Sequence, residues 1–214
     1  MIRGDWRGWP FFVYARLPGR PLRPTEGRRL GQHLGRMLQE LHGFPREEAE
    51  RLLSTRATMA AWRNRCRKLW DRMERVVLPR LDPGLSVDVQ REHHSFVEAP
   101  PDFPLMFAHA DLGPEHVLVG DRGARLSGII DFESATIGDP AIDVLPLVRH
   151  LGRPLMPALL AGRAFGDDLE RRLRFYSWMG SAHAILYGAA KGRPDIVAGG
   201  IEELRRRIRS PLAV

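Results

Sequence analysis

Cysteine is almost missing from this 214-residue chain, and lysine nearly so. The lone Cys66 has no partner for an intrachain disulfide, so nothing ties the chain to an oxidising compartment. Long hydrophobic runs are also lacking: none reaches the roughly 20 apolar residues that a membrane-crossing helix requires. The opening Met1-Ile2-Arg3-Gly4-Asp5-Trp6 carries no apolar stretch of the kind a signal peptide needs. Aromatic residues make up only 8%, and none are interleaved with basic residues in the manner of a nucleic-acid-binding segment. No internal repeat or low-complexity tract stands out. These absences exclude disulfide-stapled, membrane-spanning and repeat architectures, and the expectation is a soluble cytoplasmic protein.

What is present is ordinary for a globular fold. The chain is 43% hydrophobic and 28% charged, and its length suits one domain with a real core. The net charge is +7, carried almost wholly by arginine, since Lys68 and Lys191 are the only lysines among 33 basic residues. The arginines are spread along helical stretches rather than gathered into one patch. A general preference for arginine therefore explains the charge more simply than a nucleic-acid partner, and neither nucleic acid nor membrane is expected to bind.

Residues Pro10 to Arg16 are apolar, aromatic and β-prone, and they run into the turn Leu17-Pro18-Gly19-Arg20-Pro21. From Thr25 to His42 the residues Leu30, Leu34, Met37, Leu38 and Leu41 keep helical spacing until Gly43 and Pro45 intervene. A second helix is expected near Met59 to Leu78, with Met59, Trp62, Cys66, Leu69, Trp70, Met73 and Val77 on one face, and a weaker one near Ser86 to Val97. Short β runs at Val117–Val119 and Leu126–Ile130 flank Gly120-Asp121-Arg122-Gly123, which reads as a hairpin turn. Helical patterns then cover Ala141 to Leu151, Leu155 to Phe165, Asp167 to Tyr187 and Ile196 to Arg209. The fold class is α+β, mostly α, with one small hairpin.

Chemistry concentrates around that hairpin. His109-Ala110-Asp111 is followed five residues after Asp111 by His116, and Asp131-Phe132-Glu133 follows the second β run. Phosphoryl transfer uses such a set: one carboxylate for the acceptor hydroxyl, with a ligand and a second carboxylate for a metal ion on the phosphates. The bland readings are a capping role for Asp111, a β-turn role for Asp131 and a backbone-bonded His116. A hydrolase in which His109, Asp111, His116 and Asp131 share one metal is a weaker fit, because hydrolases cluster their ligands more tightly. Glu133 and the acids Asp102, Asp167, Asp168 and Glu170 are available to a cationic substrate, although Asp167-Asp168 also suits a helix N-terminus.

The wording H-x-D-x-x-x-x-H, then D-F-E, then Ile137-Gly138-Asp139-Pro140-Ala141-Ile142-Asp143, resembles the aminoglycoside phosphotransferase family, small-molecule kinases with a protein-kinase-like fold. Pro10 to Gly19 looks like that family's hinge. The resemblance implies Asp111 as catalytic residue, His116 and Asp131 as ligands of Mg²⁺ or Mn²⁺, and ATP or GTP as co-substrate. It implies Tyr14, Ala15, Leu17, Leu118 and Ile130 around the nucleotide. His109, Asp139 and Asp143 are implied supports, and Glu133 lies on the acceptor side. His116 departs from the commoner Asn, offering nitrogen where Mg²⁺ prefers oxygen. The partners implied are a nucleotide and a small hydroxyl-bearing, antibiotic-like or metabolite substrate. Only nine residues precede Pro10, so residues 1–22 read as a hinge strand and linker and residues 23–214 as the helical large lobe. Without the small lobe's phosphate loop and strand lysine, transfer is expected to be impaired, and a non-catalytic binding module is the alternative. The N-terminal strand, lacking sheet neighbours, is expected to favour self-association.

Overall fold

The computed structural model describes residues 2–6, 9–13, 15–98, 102–120, 125–161, 165 and 168–211, with side chains from residue 15 onward apart from Arg28. At the N-terminus β1 (Ile2–Trp6) and β2 (Trp9–Val13) form an antiparallel hairpin, in register from Ile2 opposite Val13 to Trp6 opposite Trp9. This corrects the expectation of a strand without neighbours, because β1 supplies one. Tyr14 and the turn residues 121–124 lie outside the described residues.

A short β3 (Arg20–Pro21) then joins the edge of β5 (Val117–Val119), which pairs with β6 (Leu126–Ile129) to make a three-stranded antiparallel sheet. A second small sheet pairs β4 (Met106–Ala108) with β7 (Thr136–Gly138). The helices are α1 (Gly27–His42), α2 (Arg46–Leu52), α3 (Met59–Val76), α4 (Pro83–Glu98), α5 (Ala141–Leu151), α6 (Met156–Leu160), α7 (Leu169–Ala190) and α8 (Pro194–Arg209).

Two apolar cores share one long helix. The first buries Leu30, Leu34 and Leu38 of α1 against Val117 and Val119 of β5, Val144 and Leu147 of α5, Leu159 of α6 and Leu173 of α7. The second gathers Trp62 and Met73 of α3, Val89 and Phe96 of α4, Trp178 and Ile185 of α7 and Leu204 of α8. Each fully buried Leu or Ile stabilises by roughly 1.5–3 kcal/mol relative to exposure. Helix α7 runs through both cores, so it connects the sheet side of the molecule to the α3–α4 side. Close approach of α1 and α6 depends on glycine: a Cβ at Gly35 would stand 2.2 Å from the carbonyl oxygen of Ala158, and one at Gly31 would stand 2.6 Å from a methyl of Leu155. The pattern read as a helix from Leu155 to Phe165 is shorter. A 3-10 turn over Arg153–Leu155 precedes α6, because Pro154 and Pro157 remove backbone donors there.

The segment from Arg20 to Arg23 is latched to the start of α1 by Glu26. Its carboxylate accepts from both terminal nitrogens of Arg20 at 2.8 and 2.7 Å, from the Arg23 N–H at 3.1 Å and from Arg29 at 3.3 Å. The Arg20 hydrogen bond, then the Arg23 amide, hold its pKa down to about 2. An unfolded Glu titrates near about 4.3. The latch therefore stabilises the fold above that unfolded value and loses its contribution as pH falls toward the folded one. Glu26→Gln should lower the melting temperature at neutral pH by a few degrees, with the gap to wild type closing between pH 5 and 2. Thermal denaturation across that range checks it; a gap that does not change with pH would dismiss the latch.

Candidate active site

Strand β4 delivers the chain into a loop, residues 109–113, that ends in the 3-10 turn Pro114–His116 before β5. Ala110 sits at φ +64°, a left-handed conformation that an L-residue adopts only when its surroundings hold it there. What holds it is the fully buried Asp143 in the first turn of α5. One carboxylate oxygen accepts the N–H of His109 at 2.9 Å, and the other accepts the N–H of Ala110 at 2.8 Å. His42, the last residue of α1, brings Nε2 to 2.9 Å from the first oxygen. His42 was missed by sequence reasoning, and no signal could have found it: its partner lies 101 residues away.

The two histidines of the motif clamp the loop to the strand behind it. Nε2 of the buried His109 donates to the carbonyl of Ile130 at 2.9 Å, which leaves Nδ1 to accept the N–H of Asp111 at 3.3 Å. Nδ1 of His116 lies 2.6 Å from the carbonyl oxygen of Asp111. A carbonyl can only accept, so Nδ1 carries the hydrogen, and in the neutral ring Nε2 keeps its lone pair. That nitrogen stands 3.7 Å from a carboxylate oxygen of Asp131. A further bond, from the Ile130 N–H to the His116 carbonyl at 3.0 Å, joins the two segments. Asp131 is itself left-handed, at φ 67° and ψ 61°. Two left-handed non-glycine residues, Ala110 and Asp131, thus flank the contact between His116 and Asp131.

Asp111, Asp131 and Glu133 are exposed, and among the described residues Glu133 has no ion pair. Asp139 is buried, with one oxygen accepting the Ala141 N–H at 2.9 Å at the start of α5. Beside the carboxylates lies an apolar ledge. Leu17 is 40% exposed and Ile130 37%, and a Cβ on Gly128 would come within 2.9 Å of Leu17. Ala15 is exposed next to it, whereas Leu118, opposite Gly128 in the sheet, is buried. The Phe132 ring packs 4.7 Å from His109 and remains partly exposed.

Among the described residues no three His, Cys, Asp or Glu side chains gather into a metal cluster. A pair of ligands still suits an ion such as Mg²⁺, which usually takes one or two protein ligands and completes its shell with phosphate and water. His116 and Asp131 fit that description, one by its oriented lone pair and the other by its exposed carboxylate.

Removing the His42 imidazole would leave an oxygen of a fully buried carboxylate short of a donor. His42→Ala should therefore cost roughly 2–4 kcal/mol of unfolding free energy. Urea denaturation measures it, and a change below about 0.5 kcal/mol, the size expected of an inconsequential site, would show that Asp143 does not depend on His42.

Comparison with known proteins gives a consistent result. The chain is 26% identical to viomycin phosphotransferase of Streptomyces vinaceus over 205 residues, covering 92% of this chain and 70% of that protein. It superposes on the GDP complex of aminoglycoside 2'-phosphotransferase-IIIa with a TM-score of 0.84 at 25% identity, covering 98% of this chain and 74% of that one. A macrolide 2'-phosphotransferase from Brachybacterium faecium shares the fold, with a TM-score of 0.69 at 20% identity over 94% of this chain and 72% of the other. Among the described residues no helix is long and apolar enough to cross a membrane. A family model matches residues 4–176, and with the kinase-like fold this places the chain in the phosphotransferase enzyme family.

Proposed function

We propose that this chain transfers the γ-phosphoryl group of ATP or GTP to a hydroxyl of an antibiotic-like small molecule. The observation that carries the reading is the linkage Asp111–His116–Asp131. The Asp111 carbonyl orients the imidazole, and the imidazole turns its free nitrogen toward Asp131. Viomycin phosphotransferase and the aminoglycoside and macrolide enzymes support an antibiotic as acceptor, and the GDP complex supports a purine nucleotide as donor.

Phosphoryl transfer asks the protein chiefly for positioning and charge neutralisation. Asp111, exposed in the middle of its loop, orients the acceptor hydroxyl and takes its proton late in the reaction. His116 and Asp131 are the residues that would hold Mg²⁺ or Mn²⁺, which would supply charge neutralisation for the transferred phosphoryl group. Leu17, Ala15 and Ile130 present the apolar ledge to the nucleotide base, with Leu118 beneath it. Glu133, exposed two residues past Asp131, provides a negative contact for a cationic acceptor.

The carboxylate assignments separate cleanly in binding and in turnover. Asp111→Ala should cut transfer by on the order of 10²–10⁴ while leaving metal–nucleotide affinity nearly unchanged. Asp131→Ala should weaken metal–nucleotide binding as well as rate, because it meets the metal directly. Isothermal titration with Mg²⁺–GTP and Mg²⁺–ATP, beside a phosphate-transfer assay on viomycin and kanamycin, distinguishes the two. Equal loss of nucleotide affinity in both variants would mean the roles are wrongly assigned. A nitrogen ligand at His116 also predicts that Mn²⁺ supports turnover at least as well as Mg²⁺, a preference that His116→Asn should shift toward Mg²⁺.

A further inference from the structure

Where α7 begins lies an arginine that the proposed chemistry does not use. Arg172 is completely buried. Its Nε stands 3.6 Å from Asp139 and 3.8 Å from Asp168, one terminal nitrogen donates to the Phe165 carbonyl, and its guanidinium carbon lies 5.2 Å from the Phe103 ring centre. Among the described residues neither Nε nor the other terminal nitrogen completes a hydrogen bond, so the two carboxylates hold the group by charge rather than by closed bonds. Burying a guanidinium is costly, and a well-packed apolar side chain in its place is often neutral or stabilising. Such a group therefore invites a question about what its charge acts on.

The path from Arg172 to the reactive loop is short and continuous. Asp139, facing Arg172, accepts the Ala141 N–H at the N-terminus of α5 with its other oxygen. Two residues on, Asp143 takes the N–H groups of His109 and Ala110 and so sets the strained conformation from which Asp111 emerges. We propose that Arg172 is a positioning residue for phosphoryl transfer: its charge keeps Asp139 an anionic cap on α5, and α5 in turn places Asp143 under the catalytic loop. The inference rests on the phosphotransferase reading for its kinetic part only.

Burial pushes the Asp139 carboxyl up from the usual carboxylate range, and Arg172 is the largest influence opposing that rise, ahead of the Ala141 amide. The other groups facing Asp139 are Tyr176 and Asp168 from the α7 side and Cys66 from α3. Tyr176 and Cys66 are themselves raised by burial, and Asp168 is a like charge that pushes Asp139 up. Tyr176 also holds Asp139 down through a hydrogen bond, though less than Arg172 does, and none of these groups carries a positive charge. Loss of Arg172 should let Asp139 take up a proton at higher pH. A neutral carboxyl caps a helix less well than an anion, since the helix N-terminus favours negative charge.

The test compares Arg172→Met, Arg172→Lys and Asp139→Asn with wild type, in steady-state kinetics from pH 5.5 to 8.5 and in amide hydrogen exchange without substrate. Arg172→Met should lower kcat about tenfold near neutrality with little change in the nucleotide KM. It should also gain an acid limb, with kcat recovering as pH rises, and Arg172→Lys should remove most of that limb. Exchange should quicken at His109 and Ala110 relative to amides of α8 in Arg172→Met, and in Asp139→Asn, which keeps a capping side chain but loses the charge. Unaltered pH profile and unaltered exchange at His109 and Ala110 would overturn the proposal, as would exchange that quickens equally throughout the molecule. Should Arg172→Met fail to fold, Asp139→Asn decides by the same exchange criterion. The exchange arm needs no turnover, so an inactive wild type would sink the phosphotransferase reading while leaving this one decidable.

Discussion

The buried carboxylate of Asp143 is the constraint on which the rest of the site depends. It accepts two consecutive backbone N–H groups from the loop after β4 and a third contact from His42 at the end of α1. Hydrogen bonds to a charged group contribute about 1.5–3 kcal/mol each, whereas a residue held at positive φ costs on the order of 1–3 kcal/mol. The two amide bonds therefore outweigh the strain at Ala110. Because the chain is turned there, Asp111 leaves the loop exposed while its carbonyl points back at His116. Three parts of the sequence far apart in number, at 42, 109–116 and 139–143, become one object through a single side chain.

That object explains what the sequence reveals and what it hides. The motif around Asp111, His116 and Asp131 is legible because its members are separated by fixed local spacing and one hairpin, so their proximity is nearly a property of the chain itself. Helices α1, α3, α5 and α8 are legible for a similar reason: leucines and aromatics recur at helical spacing, and proline or glycine ends the pattern. Helix α2 escaped because its seven residues bury only Ala49 and otherwise read as charge. Strand β7 has three residues and is defined by its partner β4 rather than by its own pattern. His42 and Arg172 are hidden for a different reason. A histidine ending an amphipathic helix and an arginine among many arginines both look like surface residues, and only the tertiary fold surrounds them with carboxylates.

Histidine at position 116 changes the chemistry of the pair as well as its atom type. An asparagine there could turn its amide either way, with the oxygen chosen by the metal. The imidazole has no such freedom, since the Asp111 carbonyl claims Nδ1 and fixes Nε2 as the nitrogen that meets Asp131. On the proposed roles, the residue that would receive the acceptor's proton also orients, through its own backbone, the side chain that would hold the metal. A shift of the loop at Asp111 would move the carboxylate and the imidazole together. Asp111 and the His116–Asp131 pair are thus coupled by one hydrogen bond, and that bond is held in place by the loop geometry that Asp143 imposes from beneath.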